Sequence, residues 1–362
     1  MREIWTKKAG FEKVLKKFSR RAVPPDDVRD VVAEISGEVR KRGDRALIGY
    51  AAKFDGVKLT AKKLRVSIGE IAAAEAAVDA KTRRAVAASH KNVLAFAKKS
   101  LRKDWKMTNA QGAEVGEIFL PFDRVGVYVP GGTAPLVSTA LMTVTLAQAA
   151  GVQEIVACSP CGADGVVNRD LLYALKVAGA TEIYKIGGAQ AVAAMAYGTR
   201  TIGAVTKVFG PGNKFVVEAK RQSMGAVAID LLPGPSEVLV LADSSGDPRC
   251  IAADILAQAE HGGESQVGFI TDSEKLLEAV KAEVVEQAES LSRQDAVRAV
   301  LKKNTVLVLV DSMEEGADLV NAYAPEHLSL IAKREKSVMK MIRTAGAIFL
   351  GNQSPVAVGD FL

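Results

Sequence analysis

Cysteine and histidine are both rare in this chain, with three of each among 362 residues. A small, odd number of cysteines argues against a framework of disulfide bonds. No apolar run reaches the ~18–20 residues that a membrane-spanning helix needs. The first residues, Met1–Trp5, lack the apolar stretch of a secretory signal. These absences exclude a disulfide scaffold and a helical membrane protein, and we expect the protein to work in the cytoplasm.

Aromatic residues are also scarce, at 5% of the chain, whereas hydrophobic residues as a whole reach 48%. Such a mixture is typical of helices packed on sheets of small β-branched strands. The net charge of +6 is modest, and much of it lies near the start of the chain beside Phe11, Leu15 and Phe18. This pattern favours an N-terminal helical arm, residues 1–25, over a nucleic-acid-binding surface, which would also need base-reading or stacking side chains.

From about residue 115, short apolar strands alternate with helices, which predicts βα units and parallel sheets. The predicted strands are Val125–Val129, Glu154–Cys158, Glu182–Ile186, Val205–Phe209, Ala226–Leu231, Val238–Leu241, Val267–Thr271, Thr305–Val310, Leu328–Ile331 and Ala347–Leu350. The segment before them reads as helices. We therefore predict an α/β protein with one discontinuous domain, 26–127 plus 237–362, into which a second α/β domain, 128–236, is inserted.

Glycine-rich loops follow several of these strands, where open α/β sheets bind their ligands. They are Tyr128–Thr133, Gly187–Gln190, Phe209–Asn213 and Leu232–Ser236. Glycine lets a ligand approach the backbone, and helix N-termini attract phosphate, so the loops indicate a nucleotide cofactor. Gly210 and Gly212, with Asp230 about 18 residues later, imitate the dinucleotide fingerprint. Phe215 occupies the third glycine position, which argues against that standard binding mode.

Two polar clusters contain two of the three histidines. Gln258 and His261 are three residues apart at the end of an Ala-rich helix, so they share one face. They could bind a metal or hold a polar substrate, and Asp360 could complete a set of three N/O ligands for an open zinc site. Glutamine is an uncommon zinc ligand, so the spacing alone leaves both alternatives open.

In the second cluster, Glu326 precedes His327. A carboxylate can activate water and an imidazole can move protons, although an isolated pair of this kind is more often a loop feature with a satisfied histidine. His90 lies on a long predicted helix without a partner at ligand spacing and reads as a surface residue. Cys158 and Cys161 have CxxC spacing, but without a second pair they read as small buried residues rather than as a redox or zinc motif.

The chain resembles the histidinol dehydrogenase family over its whole length. The motifs that carry the resemblance are Val127–Pro135, Gly187–Ala191, Val208–Asn213, Leu232–Glu237, Gln258–His261, Ala324–His327 and Ala357–Asp360, in the same order and at similar separations. The resemblance implies oxidation of L-histidinol by NAD to the aldehyde and, after water adds, to L-histidine. It also implies a homodimer whose two α/β domains each resemble an incomplete Rossmann fold, and no nucleic acid or membrane partner.

The same resemblance implies a role for each matching residue. Glu326 and His327 match the catalytic acid–base residues, and Tyr128, Gln190 and Asn213 match contacts to NAD. The implied zinc ligands are Gln258, His261 and Asp360. The implied substrate contacts are Ser236, Gln258, His261, His327 and Asp360.

One departure from the family concerns the end of the chain. The family continues past the position of Asp360 with a C-terminal domain that supplies a glutamate and a fourth zinc ligand to the neighbouring subunit. The sequence in hand ends at Leu362, and for this chain we expect weak zinc binding and little activity. Two alternatives stay open: a family member that oxidises another small alcohol, such as a sulfonated diol, and a non-catalytic nucleotide-binding homologue.

Overall fold

The structure is a computed structural model that describes residues 1–5, 28–131, 136–234, 236–263 and 265–361, without the side chains of residues 2–5. The helices are α1 Arg29–Arg42, α2 Asp44–Phe54, α3 Ala61–Leu64, α4 Ile68–Ala77, α5 Ala80–Ser100, α6 Val137–Ala149, α7 Arg169–Ala178, α8 Gly188–Tyr197, α9 Lys214–Ser223, α10 Pro248–Ala259, α11 Glu274–Ala288, α12 Gln294–Lys303, α13 Met313–Tyr323 and α14 Glu335–Met339. A 3-10 helix, Val356–Asp360, follows them.

The strands are β1 Arg2–Trp5, β2 Trp105–Thr108, β3 Glu114–Glu117, β4 Arg124–Tyr128, β5 Glu154–Cys158, β6 Glu182–Tyr184, β7 Lys207–Phe209, β8 Ala228–Ile229, β9 Glu237–Ala242, β10 Gln266–Thr271, β11 Thr305–Leu309, β12 His327–Ile331 and β13 Ala347–Leu350. The ten strands that the sequence pattern predicts are all present, with ends that agree within two residues. Strand β1 and the antiparallel β2–β3 hairpin were not predicted.

The described residues form two compact units. One unit contains β1 and the residues from Gly234 to Gly359, and the other contains the residues from 28 to 233 together with Asp360 and Phe361. Among the described residues, no helix combines the length and the apolar character that a membrane crossing requires.

The unit of residues 28–233 is built on a parallel sheet in the order β6-β5-β4-β7-β8. Its strands β4 and β5 are buried along almost their whole length because helices cover both faces. One continuous core joins the strands to the preceding helices, and it includes Val32 and Leu47 beside Val127 and Ala191.

The second unit has a parallel sheet in the order β1-β11-β10-β9-β12-β13. Alternate residues of β9 face opposite cores: Val238 and Val240 pack in one hydrophobic cluster, and Leu239 and Leu241 pack in another. Without β1, the remaining five strands lie in the order third, second, first, fourth, fifth along the chain, and the five strands of the first sheet have the same order. Each sheet therefore contains five strands in the doubly wound order, which confirms the predicted fold class of two incomplete Rossmann-like units.

Two parts of the predicted domain division differ from the structure. The prediction that residues 26–127 share a domain with residues 237–362 is wrong for the described residues from 28 onward, because they belong to the unit of β4–β8 and their helices pack on its sheet. The chain also joins that sheet directly, since Val66 N–H donates to the Ile183 carbonyl and Lys185 N–H donates to the Leu64 carbonyl. The predicted N-terminal helical arm is wrong at residues 2–5, which form β1, and its residues 6–25 lie outside the described part of the chain.

Candidate active site

The polar residues around β9 and β12 meet at the amino end of these strands. His327 is the first residue of β12 and pairs in register with Val238. Ser236 directly precedes β9, and its hydroxyl donates to Glu326 Oε2 at 3.1 Å. The structure therefore brings together three of the predicted site residues, Ser236, Glu326 and His327, from parts of the sequence about 90 residues apart.

The position of His327 fixes the role of each ring nitrogen. Its Nδ1 lies 3.0 Å from the backbone carbonyl oxygen of Glu237. A carbonyl oxygen only accepts hydrogen bonds, so Nδ1 carries the proton of the neutral ring and Nε2 carries the lone pair. The side chain is 28% exposed. His327 therefore presents Nε2 as a base at an accessible edge of the sheet.

The Glu326 side chain lies beside the ring of His327, although adjacent side chains on an extended strand usually point to opposite faces. Its Oε2 is 3.6 Å from His327 Nδ1 and accepts a hydrogen bond from the Glu237 N–H at 3.3 Å. The side chain is 54% exposed, so water can reach the carboxylate. This arrangement provides an ionisable oxygen and an imidazole base at one place.

Gln258 and His261 lie at the same edge of the sheet, because α10 leads the chain from the carboxyl end of β9 back to the amino end of β10. Gln258 is the penultimate residue of α10 and is 5% exposed. Its Nε2 atom is buried without a hydrogen-bond partner. His261 lies in the turn after the helix and is exposed. The Gln258 amide therefore has an unused N–H donor, which an acceptor group of a ligand could bind.

Asp360 ends the 3-10 helix Val356–Asp360 and is partly buried. The first residue of that helix is anchored to α10, because Val356 N–H donates to Asp254 Oδ1 at 2.9 Å. Asp254 is buried, and burial raises the pKa of its carboxyl. Over the residues that the structure describes, no group of three His, Cys, Asp or Glu side chains is close enough to hold a metal ion.

In the other unit, the predicted nucleotide-binding residues lie at the carboxyl ends of the strands. Tyr128 ends β4, and its hydroxyl accepts a hydrogen bond from Gly188 N–H, at 3.1 Å, in the first turn of α8. Burial raises the pKa of the Tyr128 hydroxyl, so it stays protonated at neutral pH. Gln190 follows in α8 and is 2% exposed. Tyr128 and the glycine loop around Gly188 are therefore brought together.

Asn213 caps α9, since its Oδ1 accepts hydrogen bonds from Phe215 N–H and Val216 N–H. The cap uses the amide oxygen, and the amide NH₂ is the group that a nucleotide could bind. Asp230 does not serve as the acidic residue of a dinucleotide fingerprint. Its Oδ2 instead accepts the Gly210 N–H at 2.8 Å.

The Gly210 loop is held by an ion pair that the sequence did not reveal. Lys220 is fully buried, its Nζ donates to the Gly210 carbonyl at 2.9 Å, and it also pairs with Asp230. Gly210 has a φ of 111°, and an added Cβ would lie 2.1 Å from the Tyr128 carbonyl oxygen. Only glycine therefore fits where this loop passes the end of β4.

The remaining cysteines and histidine take structural positions. Cys158 and Cys161 are both buried, and burial raises the pKa of the Cys158 thiol to about 12. A thiol of that pKa is neutral at physiological pH, which agrees with the prediction of small buried residues. His90 is partly exposed, and its Nε2 lies 3.1 Å from Gln148 Oε1.

Sequence reasoning missed Glu237, Tyr323 and Lys220, which hold the functional loops. Glu237 ends the Leu232–Glu237 motif, and its place beside Ser236 was the one available signal. Tyr323 and Glu237 are 86 residues apart, so only the packing of α13 on β9 shows that they touch. Lys220 lies among the residues of an amphipathic helix and resembles a surface lysine in sequence.

Two parallel sheets of Rossmann-like strand order, with an imidazole and a carboxylate grouped at the amino ends of β9 and β12, define an α/β protein with a candidate acid–base site. The model of the family "Histidinol dehydrogenase" matches residues 18–362. A histidinol dehydrogenase from Geobacillus kaustophilus is 44% identical over 93% of this chain and 79% of its own. One from Gluconobacter oxydans is 42% identical over 100% of this chain and 84% of its own.

A solved structure gives the same result. The crystal structure of histidinol dehydrogenase from Elizabethkingia anophelis superposes with a TM-score of 0.94 at 36% identity, and the match covers 100% of this chain and 82% of that one. The chain belongs to the histidinol dehydrogenase family and is an oxidoreductase.

Proposed function

We propose that this protein oxidises L-histidinol to L-histidine through L-histidinaldehyde, with two molecules of NAD as hydride acceptors. The observation that carries the proposal is the cluster of Ser236, Glu326 and His327, in which the backbone of Glu237 leaves His327 Nε2 free to act as a base. Family membership supplies the substrate, since the related proteins carry the name histidinol dehydrogenase.

In the first half-reaction, His327 Nε2 accepts the proton of the substrate hydroxyl. The C–H bond of the carbinol carbon breaks, its electron pair leaves as hydride to NAD, and the C=O bond of the aldehyde forms. The Glu237 carbonyl accepts the Nδ1–H bond throughout, so it stabilises the imidazolium that proton uptake creates. A proton-accepting residue of this kind contributes about 10²–10⁴-fold to a rate.

In the second half-reaction, Glu326 removes a proton from the water that attacks the aldehyde carbon. The resulting hydrate loses hydride to a second NAD and becomes the carboxylate of histidine. Glu326 is suited to this step because its carboxylate is exposed to solvent and is oriented by the Ser236 hydroxyl and the Glu237 N–H. Overall, one histidinol, one water and two NAD⁺ give one histidine, two NADH and three protons.

Gln258, His261 and Asp360 are the residues that would hold zinc. An imidazole nitrogen, an amide oxygen and a carboxylate oxygen are ligand types that zinc accepts, and the unpaired N–H of the buried Gln258 amide suits an acceptor group of the substrate. Zinc would supply a fixed attachment point for the polar groups of the substrate. The chain's own contribution is to position the donors, Gln258 through the last turn of α10 and Asp360 through the helix anchored at Asp254.

Tyr128, Gln190 and Asn213 are the proposed contacts to NAD. The support is their position at the carboxyl ends of β4, β6 and β7, beside glycine loops and the N-termini of α8 and α9. Backbone N–H groups at helix N-termini favour the pyrophosphate of a dinucleotide. The buried Tyr128 hydroxyl, which accepts Gly188 N–H, would keep the first turn of α8 in place.

We also propose that the protein is a cytoplasmic homodimer. Exposed apolar side chains follow one another along and after the β2–β3 hairpin, namely Met107, Val115, Ile118 and Leu120. Apolar side chains grouped in this way often mark a protein interface. All three cysteines are free, which suits a reducing compartment.

The test is NADH formation from L-histidinol with added zinc, with and without a chelator. We expect chelator-sensitive NADH at two equivalents per histidinol. A protein that is silent on histidinol but active on another small alcohol would show that the proposed substrate is wrong.

A further inference from the structure

Glu237, the first residue of β9, makes four hydrogen bonds to the segment that carries the candidate acid–base residues. Its Oε1 accepts the Glu326 N–H at 3.0 Å, and its Oε2 accepts the Tyr323 hydroxyl at 2.6 Å. Its carbonyl accepts His327 Nδ1–H at 3.0 Å, and its own N–H donates to Glu326 Oε2 at 3.3 Å. One residue therefore contacts both the backbone and the side chain of Glu326.

The segment that Glu237 holds makes a sharp turn between α13 and β12. Ala324 has a φ of 57° and a ψ of 63°, which makes it the single non-glycine residue with positive φ among the described residues. This left-handed conformation is unfavourable for a residue with a Cβ, so the surrounding contacts must stabilise it. On the opposite side, Gly346 approaches so closely that an added Cβ would lie 2.7 Å from the Glu326 carbonyl oxygen.

The hydrogen bonds of Glu237 hold Glu326 more directly than they hold His327. The backbone of His327 belongs to β12, whose pairing with β9 and β13 fixes its position. Glu326 precedes the strand, and its N–H is fixed by the Glu237 carboxylate. Tyr323 keeps that carboxylate in place. Burial, followed by the nearby charge of Glu237, raises the pKa of the Tyr323 hydroxyl, so it remains a hydrogen-bond donor.

We propose that Glu237 is a positioning residue for Glu326 and that its side chain acts mainly in the second half-reaction. The inference rests on the proposed function, in which Glu326 activates water and His327 serves the alcohol step. Loss of the Glu237 carboxylate frees the Glu326 N–H and lets its side chain leave Ser236. Oxidation of the aldehyde then slows, while the alcohol–aldehyde step retains its base.

The experiment compares the oxidation and the reduction of L-histidinaldehyde by the protein. NADH formation reports aldehyde oxidation, and NADH consumption reports the reverse of the first half-reaction. A misplacement of about 1 Å can cost about 100-fold. For Glu237→Ala we therefore expect aldehyde oxidation to fall about 10- to 100-fold, aldehyde reduction to change less than about threefold, and the NADH yield per histidinol to drop below two.

Two further variants separate positioning from general damage. Glu237→Gln keeps an oxygen that accepts the Glu326 N–H, so it should restore most of the aldehyde oxidation. Glu315→Ala is the matched control, because the Glu315 carboxylate accepts the Asp311 N–H at the other end of α13. It should leave both reactions unchanged. An equal loss of both reactions in Glu237→Ala, or no loss relative to the control, would overturn the proposal.

A readout without catalysis distinguishes this proposal from the proposed function. Hydrogen exchange of the Glu326 amide should be at least about tenfold faster in Glu237→Ala than in the wild type, because its acceptor is gone. Glu315→Ala should leave that exchange unchanged. If the wild type does not oxidise histidinol, the proposed function fails, whereas an unchanged Glu326 exchange rate in Glu237→Ala shows that the positioning proposal itself is wrong.

Discussion

The two sheets of this protein share one strand order, but their candidate functional residues lie at the carboxyl ends of the strands in one sheet and at the amino ends in the other. In the sheet of β4–β8, Tyr128 and Asn213 lie at the carboxyl ends of strands, where open α/β sheets usually bind ligands. In the other sheet, Glu237 and His327 are the first residues of their strands. The strand order alone therefore does not locate a site, which depends on where the chain places its polar side chains.

The two edges are also held in different ways. At the carboxyl edge, the Gly210 loop is fixed by fully buried Lys220 and by Asp230. At the amino edge, the Glu326 segment is fixed by Glu237, which is only partly buried. The first loop is thus held by a buried ion pair, and the Glu326 segment is held by hydrogen bonds to a partly buried carboxylate. Variants at each edge should therefore have separable effects.

The largest expected effect is at the amino edge. His327→Asn removes the Nε2 base, and we expect the rate of histidinol oxidation to fall about a thousandfold, within the range for a lost general base. NAD affinity should remain within about twofold. The measurements are steady-state NADH formation and NAD binding by calorimetry. His90→Asn is the control, and a His327 variant that keeps a tenth of the wild-type rate would rule out the role given to Nε2.

At the carboxyl edge, Lys220→Met should destabilise the protein and weaken NAD binding. It removes the cation that faces Asp230 and the donor to the Gly210 carbonyl, and breaking a buried pair costs about 3–5 kcal/mol. Because Asp230 is 21% exposed, we expect about 3 kcal/mol from the lower end of that range. Denaturant unfolding and calorimetry measure the two effects.

The matched control for that change is Lys106→Met, since Lys106 pairs with Glu114 on the surface. Surface ion pairs contribute about 0–1 kcal/mol. If Lys220→Met is no more destabilising than this control, then the buried pair does not hold the Gly210 loop. The Lys220→Met, Asp230→Asn double variant should recover part of the lost stability, because the uncompensated carboxylate is removed.

A smaller effect is expected from Gly346→Ala at the amino edge. The new Cβ would meet the Glu326 carbonyl oxygen at 2.7 Å, so the segment must shift. We expect a loss of about 1–3 kcal/mol, typical of overpacking, together with slower aldehyde oxidation. Gly49→Ala provides the contrast, because its Cβ would meet no atom within 4 Å in α2, and it should stabilise by about 0.5–1 kcal/mol. Equal thermal unfolding curves for the two variants would contradict the close approach.

The sequence predicts the strands well because each is a short run of small apolar residues that both faces of a parallel sheet bury. It does not assign the helices of residues 29–100 to the correct sheet. An amphipathic pattern shows that a helix such as α1 buries one face, but not which sheet receives it. The same limit explains the missed residues: Glu237 and Tyr323 become partners only through packing across 86 residues of sequence. The roles predicted for Glu326 and His327 come from the resemblance to the family, and the structure adds that the two side chains lie together.

The smallest expected effect concerns Cys158, and it tests whether this thiol is reactive in the folded protein. Cys158 ends β5, and burial raises its pKa to about 12 from 9.0. A raised folded-state pKa stabilises the fold fully below pH 9, and this contribution is lost as the pH rises through about 12. At pH 8 the Cys158 thiol is therefore neutral, and its burial makes it inaccessible.

We expect iodoacetamide to modify the partly exposed Cys250 first and Cys158 only with unfolding, as followed by mass spectrometry. Modification of Cys158 at the rate of Cys250 in the native protein would show that the thiol at the end of β5 is accessible, which would contradict this prediction.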